Sequence, residues 1–380
     1  LNALGETVVL DTQEQAGEPK IEKLFKIMVR QNASDLHLKV QQPPVLRIGG
    51  VLRSLKSDLL TDAQIQKLIY ELLKPDQIAT FERIGSFDFS YEFEGGWRVR
   101  INVYKQRGHI SVAVRLVQSR IPSVEELHLP PSLIKIAEIP IGLVLVVGAT
   151  GTGKSTTLAA MIQHINNTRR CHILTVEDPI EYSFKDNKAL INQREIGIDV
   201  PDWLSALKYG MREDPNVILI GEMRDPETLQ AGLTAAETGH LVFGTLHASN
   251  CYQAFSRMLE MFPVEKHPAI RQGLSANLAA IIAQMLLPSS REGLRMVPAV
   301  EVLICNSVVR NLISRGEDEK IAEVIRGSSS DGMQDMTAAI AKLVKEETVL
   351  RKVALENAPN RERLEMELRG ISSDRGKIIG

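Results

Sequence analysis

Gly148-Ala149-Thr150-Gly151-Thr152-Gly153-Lys154-Ser155 has the residue types and spacing of a phosphate-binding loop. Its glycines let backbone N–H groups converge on phosphate oxygens, Lys154 can reach the outer phosphates, and the Ser155 hydroxyl is a hard ligand for Mg²⁺ beside a helix N-terminus. Leu143 to Val147 reads as the strand before it, and a helix is predicted from Thr156. Two acidic clusters follow apolar runs further on, Glu177-Asp178-Pro179 and Gly221-Glu222-Met223-Arg224-Asp225. Carboxylates at strand ends near such a loop hold Mg²⁺, directly or through water, and orient or deprotonate an attacking water. Gly221 stands where nucleotide hydrolases usually close this strand with Asp, so Glu222 is expected on the Mg²⁺ side. His240 and His247 bracket another apolar run. A neutral imidazole can bridge a carboxylate to a phosphate or simply fill a structural role, and spacing leaves both open.

For these groups to meet, their strands must lie side by side. Leu143 to Val147, Ile173 to Val176, Val217 to Ile220 and Leu241 to Leu246 are apolar runs separated by helical patterns, and each leads into polar residues. This is the signature of an α/β domain with a parallel sheet, whose carboxyl edge gathers the candidate residues. The pattern predicts this domain over 133–350, helical from Val264 onward, followed by a charged tail at 351–380. Upstream, 1–19 reads as a flexible lead-in and 20–118 as a small α+β domain. Its helices are expected from Lys20 and at Asp62 to Leu73, with alternating strands between Ala33 and Leu116. Prolines 122, 130 and 131 mark a linker at 119–132.

Composition narrows the class. A chain of 380 residues with 44% hydrophobic content can bury two or three cores. A net charge of −2 and 4% aromatic residues give no basic surface and few stacking platforms, so nucleic acid is not an expected partner. Cys171, Cys251 and Cys305 form no C-x-x-C pair, which points to a reducing, cytoplasmic setting without zinc. The longest apolar stretches, Ile141 to Val147 and Leu274 to Leu287 with its Asn277 and Gln284, are too short or too polar to span a bilayer. Membrane contact is expected only through a partner.

Four segments together resemble the Walker A, Asp-box, Walker B and His-box motifs of the secretion ATPase superfamily. They are Gly148 to Ser155, Val176 to Tyr182, Asp214 to Asp225 and Gly239 to His247. They occur in that family's order, the Ala33 to Leu38 segment is typical of its N-terminal domain, and the chain is most similar to the pilus retraction branch. The assembly and type II secretion enzymes, the alternative on this scaffold, carry a four-cysteine insertion that does not fit here. A nucleotide-switched binding protein with little turnover is the alternative from another class. The segment Val308 to Arg315 matches the retraction branch at Arg310-Asn311-Leu312-Ile313 and differs at its ends, while Gly49 and Lys208 replace the usual Asp and Arg.

The resemblance implies a PAS-like N-terminal domain, a RecA-like ATPase domain, ATP and Mg²⁺ as cofactors, and a homohexamer working on a pilus platform protein at the inner membrane. It also implies nucleotide binding by Gly148, Thr150, Gly151, Thr152, Gly153, Lys154, Ser155 and Thr156, and Mg²⁺ held by Ser155 and Glu222. Glu177 becomes the expected water activator, Arg100 and Arg115 the arginines that reach the γ-phosphate, and His240 and His247 the groups coupling the site to domain movement.

Overall fold

The computed structural model describes residues 20–370, in two compact units divided after Ser119. The lead-in at 1–19 and the last ten residues of the expected tail lie outside the described residues.

The first unit runs α1 (Glu22–Arg30), β1 (Ala33–Leu38), β2 (Val45–Ile48), β3 (Val51–Ser54), α2 (Asp62–Tyr70), α3 (Pro75–Ile84), β4 (Ser86–Phe93), β5 (Trp97–Gln106) and β6 (His109–Leu116). Its strands form one antiparallel sheet in the order β3-β2-β1-β6-β5-β4, the layout of a PAS-like α+β domain. Alternation sets its two faces. Val99, Ile101 and Val103 of β5 and Val112 and Val114 of β6 point into a core with Phe25, Ile65, Ile69 and Phe81 from the helices. The intervening residues, Arg100 and Arg115 among them, share the opposite face. Helix α2 starts at a capping box between Thr61 and Gln64. Helix α3 is short, and only Phe81, fully buried, and Ile78, half-buried, pack on the core, so its apolar face spans barely one turn.

The second unit opens with α4 (Ser132–Ala137), β7 (Gly142–Val147), α5 (Lys154–Thr168), β8 (His172–Glu177), β9 (Leu190–Glu195), α6 (Trp203–Gly210), β10 (Val217–Ile220), α7 (Pro226–Glu237), β11 (Leu241–Leu246), α8 (Cys251–Glu260) and α9 (His267–Asn277). It continues through β12 (Leu278–Pro288), β13 (Met296–Ile304), α10 (Ser307–Arg315), α11 (Ile321–Gly327), α12 (Met336–Lys345), α13 (Arg351–Asn357) and α14 (Arg361–Leu368). Seven strands lie in the order β13-β12-β7-β11-β10-β8-β9. Every pair is parallel except β12 with β13. Helices cover both faces, so β7, β10 and β11 are buried along their whole length and read as unbroken apolar runs. This is the RecA-like α/β layer. Residues 120–131 hold no helix or strand, yet Val124 and Leu129 are buried in the same core as β7 and α5.

One sequence expectation is corrected by the strands. The stretch after Val264 is not helical throughout, since β12 and β13 form a long antiparallel pair inside it. β12 is nearly all apolar because it is buried between β7 and β13, and such a run has the composition of a buried helix as much as of a strand. The charged tail expected at 351–380 holds two helices among its described residues. Helices α13 and α14 bury Ala354 and Leu364 against Leu287, Val297 and Ile340, and two inward residues on short helices are too few to set up a readable period.

Candidate active site

The carboxyl edge of the parallel strands forms a cleft of about 540 Å³. The loop residues Thr150, Gly151, Gly153, Lys154, Ser155 and Thr156 line it together with Glu177, Glu181, Tyr182, Trp203, Glu222, Arg224 and His247. Strand geometry brings them there. The loop leaves β7 at Val147, Glu177 closes β8, Glu222 lies two residues beyond β10 and His247 one beyond β11. Helix α5 begins at Lys154, two residues earlier than its pattern predicts, with Gly153 at the N-cap in a left-handed conformation. Lys154 and Ser155 therefore sit in the first helical turn, where the unpaired N–H groups and the positive end of the helix dipole favour phosphate.

The loop is packed tightly from behind. The Gln284 side chain on β12 donates from Nε2 to the Thr152 carbonyl at 2.7 Å and accepts from Thr157 Oγ1 at 2.7 Å. One buried amide thus pins both the loop and the first turns of α5. Gly148 shows why no other residue fits: an added Cβ would lie 2.5 Å from the Gln284 carbonyl oxygen and 2.6 Å from Thr152 Oγ1. Because the Gln284 carbonyl belongs to a strand paired on both sides, it cannot withdraw cheaply. Gly148→Ala is accordingly expected to displace the loop and weaken ATP binding about tenfold, at the scale of ~1–3 kcal/mol for overpacking. Titration with a fluorescent nucleotide checks this, and unchanged affinity would show that the loop tolerates the shift.

Lys154 Nζ donates to the Gly148 and Ala149 carbonyls, each at 3.0 Å. Burial lowers its pKa, against the opposing charges of Glu222 and Glu181. Glu177 is the most deeply placed acid of the cleft, with 9% of its surface exposed. Burial pushes its carboxyl up to about 7, although Thr175 Oγ1 at 2.7 Å and Gln193 Nε2 at 3.1 Å both donate to Oε1. Gln193 also donates to the Tyr182 carbonyl, and the Tyr182 hydroxyl meets Thr156 Oγ1 at 2.9 Å, so the acid and the loop share one hydrogen-bonded frame. Glu222 moves the other way. Burial would raise it, but the Arg224 guanidinium, His247 and Lys154 outweigh burial and hold it below the usual carboxylate range. His247 Nε2 stands 3.1 Å from Glu222 Oε1. The two glutamates thus separate into a buried acid poised to exchange a proton near neutrality and an ionised carboxylate held by cations.

Not every predicted residue reaches the cleft. Gly148 and Thr152 support the loop from behind, with Thr152 Oγ1 donating to the Ala149 carbonyl at 2.9 Å. His240 precedes β11 at its amino end, where Nδ1 lies 2.8 Å from the Ala235 carbonyl and 3.2 Å from Thr238 Oγ1. A six-residue strand separates it from His247, about 20 Å at the usual rise. It binds α7 to β11 rather than lining the site. Arg100 and Arg115 belong to the first unit, where they are directly paired across β5 and β6. Sequence reasoning missed Gln284 and Gln193. The signal for Gln284 was a lone amide in an otherwise apolar run, and Gln193 lies on the polar edge strand β9, which has no apolar pattern to expose it.

Among the described residues, no cluster of three or more His, Cys, Asp or Glu side chains could hold a metal unaided, and no helix is long and apolar enough to cross a membrane. The family model of Type II/IV secretion system proteins matches residues 11–293. The type IV pilus retraction ATPase PilT of Pseudomonas aeruginosa is 40% identical over 338 residues, which are 89% of this chain and 98% of that protein. The type IV pilus ATPase PilU of the same organism is 36% identical over 357 residues, 93% of each chain. Among solved structures, the pilus retraction motor PilT with bound ADP superposes with a TM-score of 0.84 at 40% identity, covering 92% of this chain and 99% of that one. The ATPase DotB of Legionella pneumophila gives a TM-score of 0.76 at 26% identity, over 93% and 96%.

Proposed function

The chain belongs to the Type II/IV secretion system protein family, as an ATPase of its PilT-like retraction branch, and on that premise we propose that it couples Mg²⁺-dependent ATP hydrolysis to pilus disassembly as a homohexameric motor. The observation that carries this reading is the placing of Glu177, a buried acid with a carboxyl near neutrality, in the same cleft as the Lys154–Ser155 loop. A nucleotide seated on the loop takes its phosphate contacts from the α5 N-terminus and Lys154. Glu177 accepts the proton of a water attacking the γ-phosphate in line, and Gln193 and Thr175 fix the direction of its carboxylate. Ser155 and Glu222 supply hard oxygen donors of the kind Mg²⁺ takes alongside phosphate, and the ion would neutralise charge on the phosphates. His247 orients Glu222. Arg100 and Arg115, brought to the nucleotide in the assembled ring, stabilise charge on the transferring phosphoryl group.

His240 takes no part in the chemistry on this reading. Through the Ala235 carbonyl it couples α7 to β11 and so transmits movement. The motor works in the cytoplasm, docked on an inner-membrane pilus platform protein and without nucleic acid. Deleting the gene and imaging the cells tests the role: heavily piliated cells that no longer twitch are expected. Bald cells would instead assign the chain to pilus assembly.

A further inference from the structure

The outer face of the first unit's sheet carries a row of charges whose order is set by strand register. Arg47 on β2 pairs with Asp35 on β1, Asp35 pairs with Arg115 on β6, and Arg115 pairs with Arg100 on β5. Directly opposed residues share a face with their Cβ atoms about 5 Å apart, so Arg115 stands between the like charge of Arg100 on one side and the carboxylate of Asp35 on the other. The row's one carboxylate is held from several sides. Asp35 is only 8% exposed, its Oδ2 accepts from Ser34 Oγ at 2.8 Å, and Arg47 Nε approaches the same oxygen at 3.6 Å. That leaves Oδ1 for Arg115, whose Nε donates to it at 2.9 Å. The Arg115 side chain is nevertheless 75% exposed. Its anchor takes the inner nitrogen and presents the terminal guanidinium edge outward, the edge that grips a phosphate with two parallel hydrogen bonds.

We propose that Asp35 is a positioning residue that fixes Arg115 by its Nε, so that the outer guanidinium edge stands beside Arg100 as a preformed clamp for the phosphoryl group in flight. The idea rests on the assignment of Arg115 given above. Asp35 suits the task because it is tethered more firmly than the arginine it holds: Arg47 is itself tied to the β2–β3 turn through the Gly50 carbonyl at 3.1 Å. Burial would raise the Asp35 carboxyl, but Ser34, Arg115 and His37 together keep it below its ordinary value, so it is ionised at neutral pH. A long side chain ordered before the nucleotide arrives needs no reorganisation at the moment of reaction, and that benefit falls on the transition state rather than on binding.

The test uses full-length protein and phosphate release from Mg·ATP in four forms: wild type, Asp35→Ala, Arg115→Ala and the double variant. Asp35→Ala is expected to lower kcat about tenfold while KM for ATP and affinity for ADP stay within twofold, since the contact matters in the transition state. In the Arg115→Ala background the same change is expected to have no further effect, because its target is gone. A purely structural role would give losses that multiply, with weaker ADP binding and a lower Tm in both backgrounds, and would overturn the proposal. Asp35→Asn, which keeps size and an acceptor oxygen, covers the case in which the alanine variant does not fold; it is expected to show a smaller kcat loss at wild-type Tm, and wild-type kcat would overturn the proposal. If Arg115→Ala turns over normally, the assignment of Arg115 falls and the clamp with it. If Arg115→Ala is impaired and Asp35→Ala is not, the clamp alone falls.

Discussion

Glu177→Gln is expected to bind ATP with near wild-type affinity and to turn it over roughly a thousandfold more slowly, within the range of about 10²–10⁴ lost with a general base. The amide keeps the shape of the carboxylate, and Thr175 Oγ1 and Gln193 can still be met, so the frame joining the acid to Tyr182 and Thr156 survives. What goes is the ability to take a proton from water. Phosphate release under single-turnover conditions reads the chemical step directly, and a variant within tenfold of wild type would remove Glu177 from that role.

The same substitution carries a stability signature of opposite sign. A carboxyl that sits near 4.5 when free and is pushed to about 7 in the fold binds its proton more tightly when folded. Protonated Glu177 is therefore harmless, and its penalty grows as pH rises from about 4.5 through 7, reaching roughly 3 kcal/mol at about 1.4 kcal/mol per pKa unit. Gln bears no charge at any pH. Glu177→Gln should then match wild type in Tm near pH 4 and exceed it near pH 8, which differential scanning calorimetry would show. Most substitutions destabilise a protein, and a gain that appears only at high pH identifies a buried acid as its source.

Lys154→Ala should act on binding instead. Among the described residues, Lys154 is the one lysine lining a cleft that also holds Glu177, Asp178, Glu181 and Glu222. Its ammonium is also the donor shared by the Gly148 and Ala149 carbonyls. Truncation leaves two loop carbonyls without that partner and turns the field of the site against a polyanion. A charge-assisted hydrogen bond in such a site contributes about 3 kcal/mol, or about a hundredfold in affinity. Calorimetric titration with a slowly hydrolysed ATP analogue is expected to show that loss, and turnover should fall below detection. Affinity within tenfold of wild type would mean that phosphate is held elsewhere.

The parts of the site legible in the sequence are those carried by local pattern. Gly148 to Ser155 declares itself by spacing, and Glu177, Glu222 and His247 obey one rule, that parallel strands deliver the residues at their carboxyl ends to a common edge. His240 obeys the same rule in reverse, since it precedes its strand and stays at the other end. The features that stayed hidden depend on distant partners. Gln284 reaches Thr152 across 132 positions, and its strand has the composition of a buried helix. Arg115 meets Asp35 only through the register of β1 with β6, 80 positions apart, which no local signal encodes. The tail helices α13 and α14 bury one residue each, so their charged surface dominates their composition.

The pH dependence of turnover at saturating Mg·ATP, compared between wild type and Glu177→Gln, tests most directly whether Glu177 is the base. If it is, the wild-type rate rises with pH through about 7 as the carboxyl ionises, then levels, and the glutamine variant shows a low rate without that step. A wild-type profile that is flat between pH 6 and pH 8, or a step that persists in Glu177→Gln, would contradict the assignment.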